Sequence, residues 1–259
     1  MKKPRQHAGQ CGLLTHFNVK KKILSLQTIR KTLFWVTFFS IAMGFLEAAV
    51  VIYLRKLFYT HGFAFPLTPM PNDIAIVEIW REAATIIMLL AVGILAGKTG
   101  AEKFAWFSIS FAVWDIFYYI FLYLFIDWPQ SLLTWDILFL IPVPWVGPVI
   151  SPVIIALTMI LYGLSIVYFS GKGRSVALKL RERLLLVAGS LIVIIAFIKD
   201  YMHQNGDILF RNIRSGGSLF TDLANYVPQH FDWFIFSAGE ILILVALVLY
   251  MKRMRMKTS

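Results

Sequence analysis

Six long apolar runs, separated by gaps that are alternately rich and poor in basic residues, decide what this chain can fold into. A helix rises about 1.5 Å per residue, so crossing a hydrocarbon core of about 30 Å takes roughly 20 mostly apolar residues. Runs of that order lie at 33–54, 74–97, 104–126, 149–169, 184–202 and 231–250. Composition agrees, since 59% hydrophobic and 15% charged residues with a mean hydropathy of +0.72 are too apolar for an ordinary water-soluble domain. The expected fold is all-α, an integral membrane bundle of six transmembrane helices. The chain divides into a basic tail at 1–32, the six-helix transmembrane domain at 33–250 and a second basic tail at 251–259. No polar stretch is long enough for a further domain.

The charges give this bundle two ends. Nineteen of the 25 lysines and arginines fall in the amino-terminal tail, the second gap (98–103), the fourth gap (171–183) and the carboxy-terminal tail. The other gaps and their flanking helix ends hold only Arg55, Lys56, Arg81, Lys199, Arg211 and Arg214. Positive loops stay in the cytoplasm, so both termini are expected there, as six spans require. The first apolar run starts too late and is too long for a cleavable signal peptide. The net charge of +11 reads as topology-setting and lipid-facing. No reader fold accompanies the basic segments, which argues against a nucleic-acid partner. The single Cys11 rules out an internal disulfide.

Acids take the opposite end. Of the 14 Asp and Glu, only Glu102 and Glu182 belong to the basic gaps. Thr37, Ser40, Gly44 and Glu47 follow a three-four spacing and so form one stripe on the first helix. Glu78, Glu82 and Thr85 do the same on the second, with Arg81 three residues after Glu78. Ser108, Asp115 and Tyr119 share a face of the third helix, and Trp233, Ser237 and Glu240 one of the sixth. A charge at such depth costs at least about 2.5–3.5 kcal/mol, so these groups should face the bundle interior and find partners. Either they pair off and fix helix register, or they line a pocket open to the outer face.

The third gap reads DWPQSLLTWDILFLIPVPWVGPVISP. Its apolar core, 137–145, is too short to span, and Pro142, Pro144, Pro148 and Pro152 prevent a continuous helix. It is expected to be a re-entrant or interfacial segment between helices 3 and 4. In the first case it is a lid or floor of the outer pocket; in the second, Trp128, Trp135 and Trp145 sit in the aromatic belt. The fifth gap, 203–230, suggests two short amphipathic helices on the membrane surface, either side of Gly216–Gly217.

Several chemistries lack their residues. One Cys and five scattered His give no zinc or haem site, and no HExxH, CxxC, Walker-type loop or GxSxG elbow is present. No metal and no cofactor is expected.

The segments FLEAAVVIYLR (45–55), EIWREAAT (78–85), WDIFYY (114–119) and WDILFLIPVPWVGP (135–148) resemble a family of uncharacterised bacterial polytopic membrane proteins over about the first four spans. The resemblance implies a bacterial inner membrane and supplies no catalytic residues.

Three functional readings follow. The first is a protein that binds or transports a small solute or lipid headgroup through an outward-facing polar pocket. Its ligand-binding or proton-carrying candidates are Glu47, Arg55, Glu78, Arg81, Glu82, Asp115, Tyr119, Asp136, Trp145 and Glu240. The second is a non-catalytic scaffold or accessory subunit for a membrane protein partner. The third is an intramembrane enzyme on a lipid-linked substrate, with paired carboxylates as general acid and base, Asp115 and Glu240 first and Asp136 next.

Overall fold

The computed structural model describes residues 7–59, 62–215 and 225–256, with side chains placed at 27–59, 62–207 and 225–256. Its elements are α1 (His7–Phe58), α2 (Asn72–Ala96), α3 (Gly100–Ile126), β1 (Trp135–Phe139), β2 (Trp145–Pro148), α4 (Ile150–Gly171), α5 (Leu180–Ser215) and α6 (Trp233–Met256). By length and composition, six helical stretches can cross a membrane: Gln27–Phe58, Asn72–Ala96, Gly100–Ile126, Ile150–Gly171, Leu180–Asp207 and Trp233–Met256. Large apolar side chains such as Trp80, Leu95 and Phe234 are left on the outside of the bundle, 70%, 86% and 85% exposed, as a lipid-facing surface requires.

α3 is the central rod, packed against α1, α2 and α4, while α5 packs chiefly on α6. Small residues set these approaches. A Cβ on Gly44 would stand 2.9 Å from the Trp114 carbonyl oxygen, so α1 and α3 meet backbone to backbone there. At the α5–α6 crossing, Gly189 and Gly239 each face the other's carbonyl in the same way, at 2.7 and 2.8 Å. Close approach through small residues is how helices gain packing energy where lipid offers no hydrophobic drive. Beside Gly44 on the expected stripe, Ser40 bonds Ser110 across the same interface at 2.8 Å.

The basic gaps meet at one end. Thr28 and Thr32 of α1, Lys98, Glu102 of α3 and Ser170 of α4 surround one cavity, and Ser170 donates to Glu102. Arg174 donates to the Met254 carbonyl, and Arg253 forms a two-pronged pair with Glu182 at 2.7 and 2.8 Å. Thr99 and Glu102 form a capping box that opens α3. Beneath them lies the largest apolar cluster, around Trp106, Ile109, Tyr162, Ile166 and Tyr250.

The opposite end carries the acids and departs from the expectation in two places. The proline- and tryptophan-rich segment is an antiparallel β-hairpin, with Trp135 opposite Pro148, Asp136 opposite Gly147, and an irregularity between Ile137 and Phe139. Aromatic and β-branched residues favour the strands, and Pro142 and Pro144, lacking donors, fall in the turn between them. The second departure is in the fifth gap. α5 continues unbroken to Ser215, since 203–215 holds no proline and a lone Gly206 does not stop a helix. The other expected surface helix, around Leu219, Phe220 and Leu223, lies outside the described residues, as do Gly216 and Gly217.

The connection into α6 is held by one carboxylate. Asp200 accepts from the Tyr226 hydroxyl at 2.6 Å, from Gln204 at 3.0 Å, and from the backbone N–H groups of Gln229 and His230 at 3.2 Å. Asp232 pairs with Lys199 and accepts the Ile235 N–H in the first turn of α6.

Candidate functional site

At the acidic end, α1, α2, α3 and the hairpin enclose two adjoining cavities that share Val51, Arg81, Glu82, Tyr118 and Ile137 as walls. The first measures about 140 Å³ and lies under the α1–α2 connection, with Tyr59, Phe63, Leu67 and Met70 above it and Arg55, Glu78 and Asp136 below. The second measures about 60 Å³ and reaches deeper, to Glu47, Thr85, Trp114, Asp115 and Tyr119. Asp115 stands eleven residues from the end of α3 at Ile126, about 17 Å at 1.5 Å per residue. The deeper cavity therefore extends toward the middle of the bundle.

Helical spacing places most of the charges. Glu78, Glu82 and Thr85 lie along the buried face of α2, and Arg81 swings beside them to serve two carboxylates. It bonds Glu78 at 2.8 Å and pairs with Glu47 of α1. Thr85 donates to the other Glu47 oxygen at 3.1 Å.

Arg55, near the end of α1, lies in the corner formed by the perpendicular rings of Phe63 (4.2 Å) and Trp128 (3.7 Å) and bonds Asp136 at 3.2 Å. Two rings beside one guanidinium add cation–π attraction to the ion pair. Tyr119 donates its hydroxyl to the other Asp136 oxygen at 3.2 Å. Asp136 is 2% exposed. Burial pushes its carboxyl up to about 6, against the opposing pull of Arg55 and the Tyr119 hydrogen bond.

Two carboxylates of the site form no ion pair among the described residues. Glu82 accepts the Leu140 N–H at 2.8 Å through Oε2, which pins the hairpin to α2; its Oε1 has no partner among the described residues. Asp115, 8% exposed, accepts no hydrogen bond among the described residues, and its Oδ2 is fully enclosed. Arg55 likewise keeps Nη1 without an acceptor among them.

Eight of the ten candidates from sequence thus line the two cavities: Glu47, Arg55, Glu78, Arg81, Glu82, Asp115, Tyr119 and Asp136. Glu240 and Trp145 do not. Glu240 faces α4, where it accepts from Thr158 and leaves Oε2 unpartnered among the described residues. It is therefore not placed to act with Asp115. Trp145 stacks on Phe197 of α5, centroids 6.2 Å apart.

Phe63, Trp128 and Tyr118 belong to the site without having been candidates. Tyr118 adjoins Tyr119 and could have been found by taking both tyrosines as wall. Trp128 reads as an interfacial anchor, yet it is only 7% exposed because it packs against Phe63 and Tyr119 and carries Arg55 on its ring. Among the described residues, no group of three or more His, Cys, Asp or Glu is placed to hold a metal ion.

Comparison of the chain with protein-family models, with curated proteins and with solved structures finds no match. The site's own geometry has to carry the functional reading.

Proposed function

We propose that this chain is a multi-pass protein of a bacterial cytoplasmic membrane, with both termini cytoplasmic, whose joined cavities bind a small solute or lipid headgroup from the outer face for uptake or sensing. The orientation is supported by the collection of basic gaps at one end, the end retained in the cytoplasm by the positive-inside rule. The proline- and tryptophan-rich hairpin then forms a re-entrant floor beneath the outer pocket. Its backbone is irregular at membrane depth, which is tolerated where it is buried in protein and lines a cavity.

The observation that carries the binding reading is the incomplete pairing. A scaffold needs its buried charges matched, because an unmatched one costs several kcal/mol. Here Arg81 and Arg55 are spent on Glu47, Glu78 and Asp136, while Glu82 and Asp115 line the deeper cavity with no cation paired to them among the described residues. Room and unmatched polar groups together are what a ligand site offers.

Cysteine accessibility tests this. In a Cys11→Ser background, Thr68→Cys and Met70→Cys should react with a membrane-impermeant maleimide added to the outer face of spheroplasts. A cysteine replacing Ser175, in the fourth gap, should react only after permeabilisation. Reaction of the two sets from the reverse sides would defeat the orientation, and unreactive Thr68→Cys and Met70→Cys after permeabilisation would defeat the open pocket.

A further inference from the structure

We infer that the deeper cavity is a receptor for a small organic ammonium group, held between the carboxylates of Asp115 and Glu82. The inference rests on the pocket reading above and names the class of its ligand. Seven ionisable side chains line the joined cavities with Asp, Glu or Arg chemistry, five acids against two arginines. Arg81 and Arg55 answer three of those acids and leave Glu82 and Asp115. Asp115 is more than nine-tenths buried, is one of the residues lining the cavity, and accepts no hydrogen bond among the described residues. Such a carboxylate has no partner of opposite sign among the described residues, since Arg81, which lines the same cavity, is paired with Glu47 and Glu78.

The walls choose among cations. Trp114, Tyr118 and Phe139 present aromatic surface to the same space, and Val51 and Leu138 present apolar surface. That lining suits an ammonium on a carbon frame, which gains ring contact as well as charge. A bare metal ion would want a shell of oxygen ligands, and no group of three His, Cys, Asp or Glu is placed to hold one among the described residues. A cavity of about 60 Å³ holds about two waters at a liquid share of roughly 30 Å³ each, room for an ammonium group. Ethanolamine or tetramethylammonium would extend from it into the adjoining cavity of about 140 Å³. The ammonium arrives either free in solution or as the headgroup of phosphatidylethanolamine.

The test uses the full chain in maltoside micelles at pH 8, at constant ionic strength. Ethanolamine hydrochloride and tetramethylammonium chloride are titrated against sodium acetate and ethylene glycol, reading thermal unfolding and tryptophan fluorescence. Phosphatidylethanolamine and phosphatidylglycerol adducts are compared by native mass spectrometry. The expected result is saturable stabilisation by the ammonium salts alone, weakened at least about tenfold in Asp115→Asn and Glu82→Gln, as loss of a charge-assisted contact entails. Glu102→Gln, at the other end, leaves it unchanged.

Phosphatidylethanolamine adducts that depend on Asp115, without free ethanolamine binding, support the same site with lipid as the source. Binding that is equal in Asp115→Asn, or binding of acetate or ethylene glycol in place of the cations, overturns the ammonium assignment and leaves the pocket standing. So does silence from every probe while Thr68→Cys and Met70→Cys react. Silence together with unreactive cysteines overturns both.

Discussion

The two ends of this bundle use the same residue type in opposite ways. At the basic end, Glu102 closes a capping box and takes a hydrogen bond from Ser170, while Glu182 receives both prongs of Arg253 and the Lys179 N–H. Each of those acids is fully employed. At the acidic end Glu47 and Glu78 share one arginine, Asp136 has another, and Glu82 and Asp115 have none among the described residues. Four helix-borne acids and a hairpin aspartate have been gathered where two arginines cannot neutralise them. A chain selected only to hold its helices together has no reason to accept that cost. The comparison favours the end where the pairing fails as the place of the proposed site.

The largest way to break this comparison is to remove Arg81. Arg81→Leu strands Glu47 and Glu78 in a buried setting, and the expected loss is about 3–5 kcal/mol in denaturant unfolding of the micellar protein. A change below about 1 kcal/mol would mean that those acids are solvated in place.

Next in size is a pH effect from the hairpin. The Asp136 carboxyl titrates near 6 in the fold and near its ordinary 3.8 when unfolded, so between those values the folded chain holds the extra proton. Its contribution therefore rises as pH is lowered from 7 toward 4 and is lost as pH rises through 6, with a total on the order of 3 kcal/mol. Unfolding curves across that range should lose this component in Asp136→Asn.

At the basic end, Glu182→Gln keeps the shape but not the charge, and a loss of about 1–2 kcal/mol is expected. The smallest effect sharpens the contrast most. Asp115→Asn should leave stability within about 0.5 kcal/mol of the parent, or raise it, because no partner is lost. A loss as large as that of Glu182→Gln would reveal a hidden partner for Asp115.

Much of this was legible in the sequence, and the remainder was hidden for identifiable reasons. Hydropathy set the six helices, and three-four spacing put Ser40, Gly44 and Glu47, then Glu78, Glu82 and Thr85, on inward faces. Periodicity fixes level and face along one rod but not which rod lies opposite. Glu240 reads as a companion of Asp115 by depth alone, yet α6 packs on α5 and its carboxylate meets Thr158 of α4. The hairpin was hidden for another reason: a short apolar run dense in proline shows that a helix fails without showing what replaces it. That backbone turn carries Asp136 to Arg55 and Leu140 to Glu82, so two of the site's defining contacts had no periodic signature.

The Glu82 carboxylate joins two tasks in one flat, stiff group. One oxygen anchors the polypeptide of the hairpin, and its twin sits two bonds away on a side chain that borders the void. Neither can swivel alone. A guest that grips the vacant oxygen must tug the tethered one, so whatever enters the chamber also leans on its floorboard.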